Sequence, residues 1–105
     1  MEKYNILISW IIIGQDWSEN LIGALNKQLN NIDILELIIV DDGSLNDSTK
    51  HLKNIQFENK QIIKLENQSG RCVARNMGIK IACGKYCLFT NSNTIPKGNF
   101  LQKYI

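Results

Sequence analysis

The chain has 105 residues, of which 44% are hydrophobic and 21% charged, and its formal net charge is +2. This length fits a single domain over residues 1–105 and is too short for two domains of ordinary size. The lysines are scattered among acidic residues, so the composition excludes nucleic acid as the expected partner. The apolar segments are too short to span a bilayer. Because the first residues also lack the pattern of a signal peptide, we expect a cytoplasmic protein with no transmembrane segment.

Strand-like and helix-like patterns alternate along the chain. The predicted strands cover residues 5–13, 34–40, 61–65 and 85–90. The predicted helices cover residues 18–30, 46–55 and 71–82, with Gly84 as the C-cap glycine of the last helix. Strands that alternate with helices predict right-handed βαβ units. The expected fold is therefore a three-layer α/β/α domain with a mostly parallel sheet.

Two adjacent carboxylates follow the strongly apolar second strand. There, Ile38-Ile39-Val40 leads directly into Asp41-Asp42-Gly43-Ser44, and open α/β sheets hold ligands at this carboxyl edge. Neighbouring carboxylates need a cation, a proton or hydrogen-bond donors to offset their repulsion. Asp-Gly-Ser is also common in turns and helix caps, so a purely structural turn is the alternative interpretation.

Two arginines lie one turn apart on the third predicted helix. Arg75 is at the edge of the apolar arc of this helix, and Arg71 precedes it by four residues. Stacked cations repel each other, and a cation beside an apolar surface favours an anionic partner. Backbone N–H groups of Gln68-Ser69-Gly70 also favour an anion at the helix start. A phosphate or a carboxylate of Asp41-Asp42 would suit this position; the alternative is that both guanidinium groups extend into water.

The three cysteines, Cys72, Cys83 and Cys87, form no C-x-x-C pair. Their odd number and their spacing argue against a disulfide framework and against a zinc site. We expect reduced thiols that pack against neighbouring side chains.

Taken in order, several segments resemble the amino-terminal half of glycosyltransferase family 2, over nearly the whole chain. The segments are residues 8–13, Asp41-Asp42-Gly43-Ser44, Glu66-Asn67-Gln68-Ser69-Gly70, Ala74-Arg75-Asn76-Met77-Gly78-Ile79 and residues 82–96. The resemblance implies a GT-A fold, an inverting transfer, a nucleotide diphosphate sugar as donor, and a glycan, lipid or protein acceptor.

The resemblance also implies nucleotide-binding roles for particular residues. The family's second motif acid hydrogen-bonds the base or its ribose, which corresponds to Asp42, while Asp41 shapes the adjacent turn. The arginine of the family's Arg-Asn-x-Gly motif lines the nucleotide pocket, which corresponds to Arg75. Ile13 and Gln15 lie where the family has a segment that contacts the base. We therefore expect Asp42 and Arg75 to lie near Asn91 at the carboxyl edge of the sheet.

Two segments depart from the family pattern. Family members usually have Pro-x-Tyr-Asn after the first strand, with a ring that stacks on the base, whereas this chain has Ile13-Gly14-Gln15-Asp16. Trp17 either substitutes for that ring or has a core role, which we favour.

The metal-binding Asp-x-Asp position reads Asn91-Ser92-Asn93. The family implies Mg²⁺ or Mn²⁺ here, yet neutral amides bind a hard cation far more weakly than carboxylates do. Asn91 and Asn93 can still donate hydrogen bonds to phosphate, which allows nucleotide binding without metal.

The catalytic residue is unassigned. In the family, the base lies in a second half beyond the Asp-x-Asp position, and Asp16, Asp33 and Asp47 match no base motif. We expect this chain to be inactive alone.

The alternative to a glycosyltransferase is a non-catalytic relative. Such a relative binds nucleotide, or acts as an interaction module with partner chains or as an oligomer. The sequence lacks the motifs of dinucleotide-binding, P-loop and phospho-acceptor domains, so we do not expect any of these three classes.

Overall fold

A computed structural model describes residues 6–28, 33–44, 47–98 and 100–101. These residues form strands β1 (Ile8–Gly14), β2 (Leu35–Asp42), β3 (Lys60–Leu65) and β4 (Tyr86–Asn91), with helices α1 (Glu19–Gln28) and α2 (Arg71–Ile81) and a 3₁₀ helix (Asp47–Asn54). The predicted alternation of strands and helices is confirmed. Residues 5, 29, 30 and 46, which fall within predicted elements, lie outside the described ranges. No helix in those ranges has the length and apolar character needed to cross a membrane.

The described strands form one parallel sheet in the order β3-β2-β1-β4. The chain lays down β1, β2 and β3 in one direction and then returns to place β4 on the other side of β1. Parallel sheets of this kind bind ligands at the carboxyl ends of the strands, where the direction of strand addition reverses. In this sheet the reversal lies between β1 and β4.

Crossovers between parallel strands are right-handed as a rule, so the reversal of strand order places helices on both faces of the sheet. Side chains alternate along β1: Ile8, Trp10 and Ile12 belong to the core beneath α1 and the 3₁₀ helix, whereas Ile11 and Ile13 belong to the core beneath α2. Every residue of β2 is buried, as expected for a strand covered on both faces. The three-layer α/β/α arrangement predicted from the sequence is therefore confirmed.

Gly84 is not the C-cap of α2, so that prediction is wrong. The helix ends at Ile81, and Ala82 is its C-cap residue with extended backbone angles. A Cβ atom on Gly84 would lie 2.7 Å from the backbone nitrogen of Ser9 and 2.9 Å from the carbonyl carbon of Ile8. A glycine is required here because the segment before β4 passes directly against the backbone of β1.

A buried carboxylate joins three segments at the amino-terminal end of the sheet. Glu36 of β2 is 1% exposed. Its Oε2 atom accepts hydrogen bonds from Ser9 Oγ, at 2.6 Å, and from the backbone N–H of Cys83. Ser9 Oγ in turn accepts a hydrogen bond from Gly84 N at 2.8 Å. Hydrogen-bond donors therefore hold the Glu36 carboxylate and tie β2, β1 and the α2–β4 connection together.

The cysteines are free thiols, as predicted, but the prediction that they are packed is wrong. Cys72, Cys83 and Cys87 are all exposed. Cys72 lies in the first turn of α2, and Cys87 lies on β4, an edge strand among the described strands. Partial burial, followed by the nearby Glu36 carboxylate, raises the pKa of the Cys87 thiol above its usual value. Cys87 is therefore mostly protonated at neutral pH.

Candidate functional site

A cavity of about 360 Å³ lies at the carboxyl ends of β1, β2 and β4, beside the first turn of α2. Residues singled out in the sequence line it, among them Ile13, Gln15, Asp42, Arg71, Asn91 and Asn93. This position coincides with the reversal of strand order, so the topology explains why a cleft forms here.

Asp42 forms part of the cavity wall and is 6% exposed. Its Oδ1 atom accepts a hydrogen bond from the backbone N–H of Ser69 at 2.7 Å, and its Oδ2 atom accepts one from Gly70 at 3.1 Å. Gly70 is the N-cap residue of α2, where a carboxylate is favourable because N–H groups and the helix dipole offset its charge. Each carboxylate oxygen can accept a further bond, so Asp42 is fixed in place and still has acceptor capacity.

Asp41 does not line the cavity. Its carboxylate bonds to neighbouring groups of the fold. It lies on the opposite face of β2 from Asp42, because neighbouring strand residues alternate. Its Oδ1 atom accepts hydrogen bonds from Trp17 Nε1, at 2.8 Å, and from Ser44 Oγ. Asp41 thus holds the turn that follows β2, the role that the resemblance implied for it beside Asp42.

Trp17 belongs to the hydrophobic core, as we favoured from the sequence. Its side chain is 1% exposed and packs in the core beneath α1. Its ring N–H bonds to Asp41, and its backbone N–H donates to Ser48 Oγ at 2.9 Å. The ring is therefore not positioned to stack on a nucleobase in the cavity.

Two polar side chains fix the segment that follows β1. Gln15 Nε2 donates to the carbonyl oxygens of Asp42, at 2.8 Å, and Gly43, at 3.3 Å. On the other side, Ser92 Oγ donates to the carbonyl oxygen of Gln15 at 2.8 Å, and Ser92 N donates to that of Ile13 at 2.9 Å. Sequence reasoning missed this role of Ser92; its only sequence signal is a small hydroxyl residue between two asparagines. The segment is pre-organised by bonds to β2 and to the end of β4.

The donor groups at the degenerate Asp-x-Asp position do not fit a divalent metal ion. Asn91 Oδ1 accepts hydrogen bonds from Asn93 N, at 2.9 Å, and from Thr94 Oγ1, at 3.1 Å. Its amide oxygen is neutral and already used in a local turn, whereas Mg²⁺ and Mn²⁺ favour carboxylate oxygens. Within the described ranges, no group of three or more His, Cys, Asp or Glu side chains could hold a metal ion.

The two arginines of α2 differ in position. Arg71 lines the cavity, whereas Arg75 is not among the lining residues, and its guanidinium carbon lies 5.5 Å from the ring centroid of Phe89. Four residues along a helix advance about 6 Å, so α2 carries Arg75 away from the carboxyl edge. The structure therefore brings Asp42 and Asn91 to one cavity, but with Arg71 and not with Arg75.

Comparison with known proteins gives consistent matches. A model of Glycosyl transferase family 2 matches residues 11–105. The glycosyltransferase GlyG of Streptococcus pneumoniae serotype 4 is 34% identical over 70 residues, which cover 65% of this chain and 23% of GlyG. The minor teichoic acid biosynthesis protein GgaA of Bacillus subtilis is 35% identical over 84 residues, which cover 75% of this chain and 19% of GgaA. The solved structure of S. aureus TarS 1-349 has a TM-score of 0.74 and 26% identity, covering 94% of this chain and 31% of that one.

The chain thus spans less than a quarter of these two relatives and less than a third of the TarS structure. The structural match supports the GT-A-like α/β/α fold expected from the sequence. The family match covers all four strands apart from the first residues of β1, together with the motifs that carried the resemblance. This chain belongs to glycosyl transferase family 2.

Proposed function

We propose that the cavity at the carboxyl edge binds the nucleotide of a nucleotide diphosphate sugar. The observation that carries the proposal is the position of Asp42, a buried carboxylate in the cavity wall whose oxygens are held by two backbone N–H groups. An acceptor fixed in this way suits an N–H group of a base or a hydroxyl group of a ribose. Hydrogen bonds to charged groups contribute about 1.5–3 kcal/mol.

The lining supports the remaining part of such a ligand. Ile13, whose side chain is 3% exposed and belongs to the core beneath α2, forms an apolar part of the wall, and Gln15 is held next to Asp42 by a hydrogen bond. Asn91 and Asn93 place amide groups at the end of β4, where their N–H donors suit phosphate oxygens. The side chains of Gln15 and Asn91 are already held by hydrogen bonds, so they lose little side-chain entropy when a ligand binds.

Within the whole reaction, we propose that the bound sugar is destined for a glycan acceptor. Family membership supports a sugar donor and an acceptor, and the name of GgaA connects one relative to teichoic acid biosynthesis. A lipid or protein acceptor is compatible with the same donor site. The described residues assign no catalytic base, so the proposal for this chain is donor binding.

A non-catalytic nucleotide-binding module is the second candidate function. The specific observation in its favour is the pair of neutral amides at Asn91 and Asn93, where neither side chain offers a carboxylate to a metal ion. Both candidates require nucleotide binding at the same cavity, and sugar transfer separates them.

Calorimetric titration with uridine, guanosine, thymidine, adenosine and cytidine diphosphates tests donor binding. We expect at least one of them to bind the wild-type chain. Asp42→Asn removes the charge but keeps the side-chain size, and it should weaken binding about tenfold or more. Asp47→Asn is the matched control, because Asp47 is exposed and pairs only with Lys50 among the described residues. Thermal unfolding of each variant confirms that it is folded. The proposal fails if no diphosphate binds, or if both variants bind like the wild type.

A further inference from the structure

Among the described residues that line the cavity, Arg71 is the one with a positively charged side chain. We propose that its guanidinium group binds the diphosphate of the donor and provides the positive charge at a site whose Asn91 and Asn93 side chains do not fit a divalent ion. The inference rests on the proposed nucleotide binding and adds to it the residue that recognises the phosphates and the absence of a metal requirement.

The surroundings of Arg71 do not explain its presence through fold stability. Its side chain is exposed and makes no salt bridge within the described part of the chain, where Lys50 and Asp47 form the one ion pair. The nearby carboxylate of Asp42 is directed at the backbone N–H groups of Ser69 and Gly70. A cation in the first turn of a helix is also unfavourable, because the helix dipole is positive at that end. Arg71 is thus a cation at the wall of a cavity, and none of the described residues is an anionic partner for it.

The chemistry of the lining favours a phosphate as that partner. Arginine presents a planar fork of N–H donors that can bind two phosphate oxygens at once. Gln68, Asn91 and Asn93 supply neutral amide groups around the same space. The two acids of the lining are Asp42, whose charge is offset by two N–H groups, and Asp16, which is exposed. Among the described lining residues, Arg71 carries the one full positive charge that a diphosphate could meet.

Arg75 provides a matched control on the same helix. It has the same side chain, one turn later, and its guanidinium group lies over the ring of Phe89. It is exposed, like Arg71, but it is not among the residues that line the cavity. Substituting either arginine by glutamine removes one positive charge from α2 and keeps a long polar side chain, so a general effect of net charge would be equal in the two variants.

The test compares wild type, Arg71→Gln and Arg75→Gln in the presence of EDTA. Calorimetry measures the affinity for whichever of the uridine, guanosine, thymidine, adenosine and cytidine diphosphates the wild type binds best, and NMR titration measures the weaker affinity for the matching nucleoside. We expect Arg71→Gln to weaken diphosphate binding about tenfold and to change nucleoside binding by less than twofold. Arg75→Gln should leave both affinities unchanged. Raising the salt concentration should weaken diphosphate binding to the wild type more than to Arg71→Gln. Salt screens the attraction between the phosphates and the Arg71 charge, which the variant lacks.

Other results would overturn the inference in distinguishable ways. If the wild type binds a diphosphate and Arg71→Gln binds it equally well, the phosphate contact of Arg71 is wrong and donor binding stands. If Arg75→Gln alone weakens binding, the role implied for Arg75 by the family resemblance is right instead. If EDTA abolishes binding, a metal ion supplies the charge. Absence of diphosphate binding to the wild type would reject the proposed function and this inference together.

Discussion

Asp41 and Asp42 are neighbours in the sequence, yet they face different parts of the molecule. Strand residues alternate between the two faces of a sheet, so Asp41 contacts Trp17 of the core while Asp42 contacts the start of α2. The sequence allowed two interpretations of this pair, a structural turn and a ligand site. The structure supports the turn for Asp41, and ligand binding by Asp42 stays a prediction.

Glu36 offers a test of the buried hydrogen-bond network. In Glu36→Ala, the hydroxyl group of Ser9 and the N–H group of Cys83 both lose their acceptor. Buried donors without partners are costly, so we expect the free energy of unfolding to fall by about 2–3 kcal/mol. Urea denaturation measures the change. Glu66→Ala is the control, because Glu66 is exposed and surface substitutions usually stay within about 0.5 kcal/mol. Equal denaturation midpoints for the two variants would show that the network contributes no stability.

Arg75 shows where residue-level prediction from sequence reaches its limit. Its position at the edge of the apolar arc of α2 correctly indicated contact with an apolar surface, and the structure supplies the ring of Phe89. Which arginine reaches the cavity depends on how far α2 extends past the ends of the strands. That distance is set by the packing of the helix on the sheet, which helical periodicity does not encode.

At the scale of elements, the strands and helices were predictable because their patterns are strong. The apolar run of β2 and the apolar arc of α2 have the periods of a buried strand and an amphipathic helix. The sequence predicted a short helix over residues 46–55, and the structure has a 3₁₀ helix at Asp47–Asn54. Only Leu52 is buried within it, so it has no repeated apolar face from which the number of residues per turn could be inferred.

Gly78 tests the close packing of α2 on β1. A Cβ atom at this position would lie 2.6 Å from Cγ2 of Ile11, which is fully buried. We expect Gly78→Ala to lower the free energy of unfolding by about 1–3 kcal/mol, because overpacking forces the helix or the strand to shift. Urea denaturation measures the loss.

The control for that substitution is Gly23→Ala in α1. Nothing lies within 4 Å of a Cβ atom built at Gly23, so alanine should fit freely. Since alanine favours the helix over glycine by about 1 kcal/mol, Gly23→Ala should stabilise the chain. Stabilisation by both substitutions would contradict the close contact between α2 and β1.

At the scale of the whole molecule, the order of the strands creates the cavity. The sequence predicted the strands, and the family resemblance implied that Asp42 and the Asn91-Ser92-Asn93 segment lie at one edge of the sheet. Periodicity alone could not predict the cavity, because the sequence pattern does not specify that β4 pairs with β1. The anchoring role of Ser92 depends on that pairing, which places the end of β4 beside Ile13.

Metal dependence gives a prediction about the function of the whole chain. Nucleotide binding by the wild type should be the same with EDTA and with Mn²⁺. The double substitution Asn91→Asp and Asn93→Asp introduces two carboxylates, so we expect Mn²⁺ to raise its nucleotide affinity. Calorimetry in both conditions measures this.

Sugar transfer by the purified chain should remain at background in the wild type and in the double variant. Better donor binding without a base or a positioned acceptor does not lower the chemical barrier. The measurement is transfer of a labelled sugar from its nucleotide to an added acceptor. Turnover by the unmodified chain would mean that one of its own residues acts as the base.

The most direct test of donor binding at this cavity is an NMR titration of the isotopically labelled chain with the nucleoside diphosphate that binds best. We expect the largest amide shift changes at residues 13–16, 42–44, 68–71 and 91–93, with few changes at β3 and α1. Asp42→Asn should reduce these changes at equal ligand concentration. Shift changes centred away from the carboxyl edge of the sheet, or none with any nucleoside diphosphate, would contradict donor binding at this cavity.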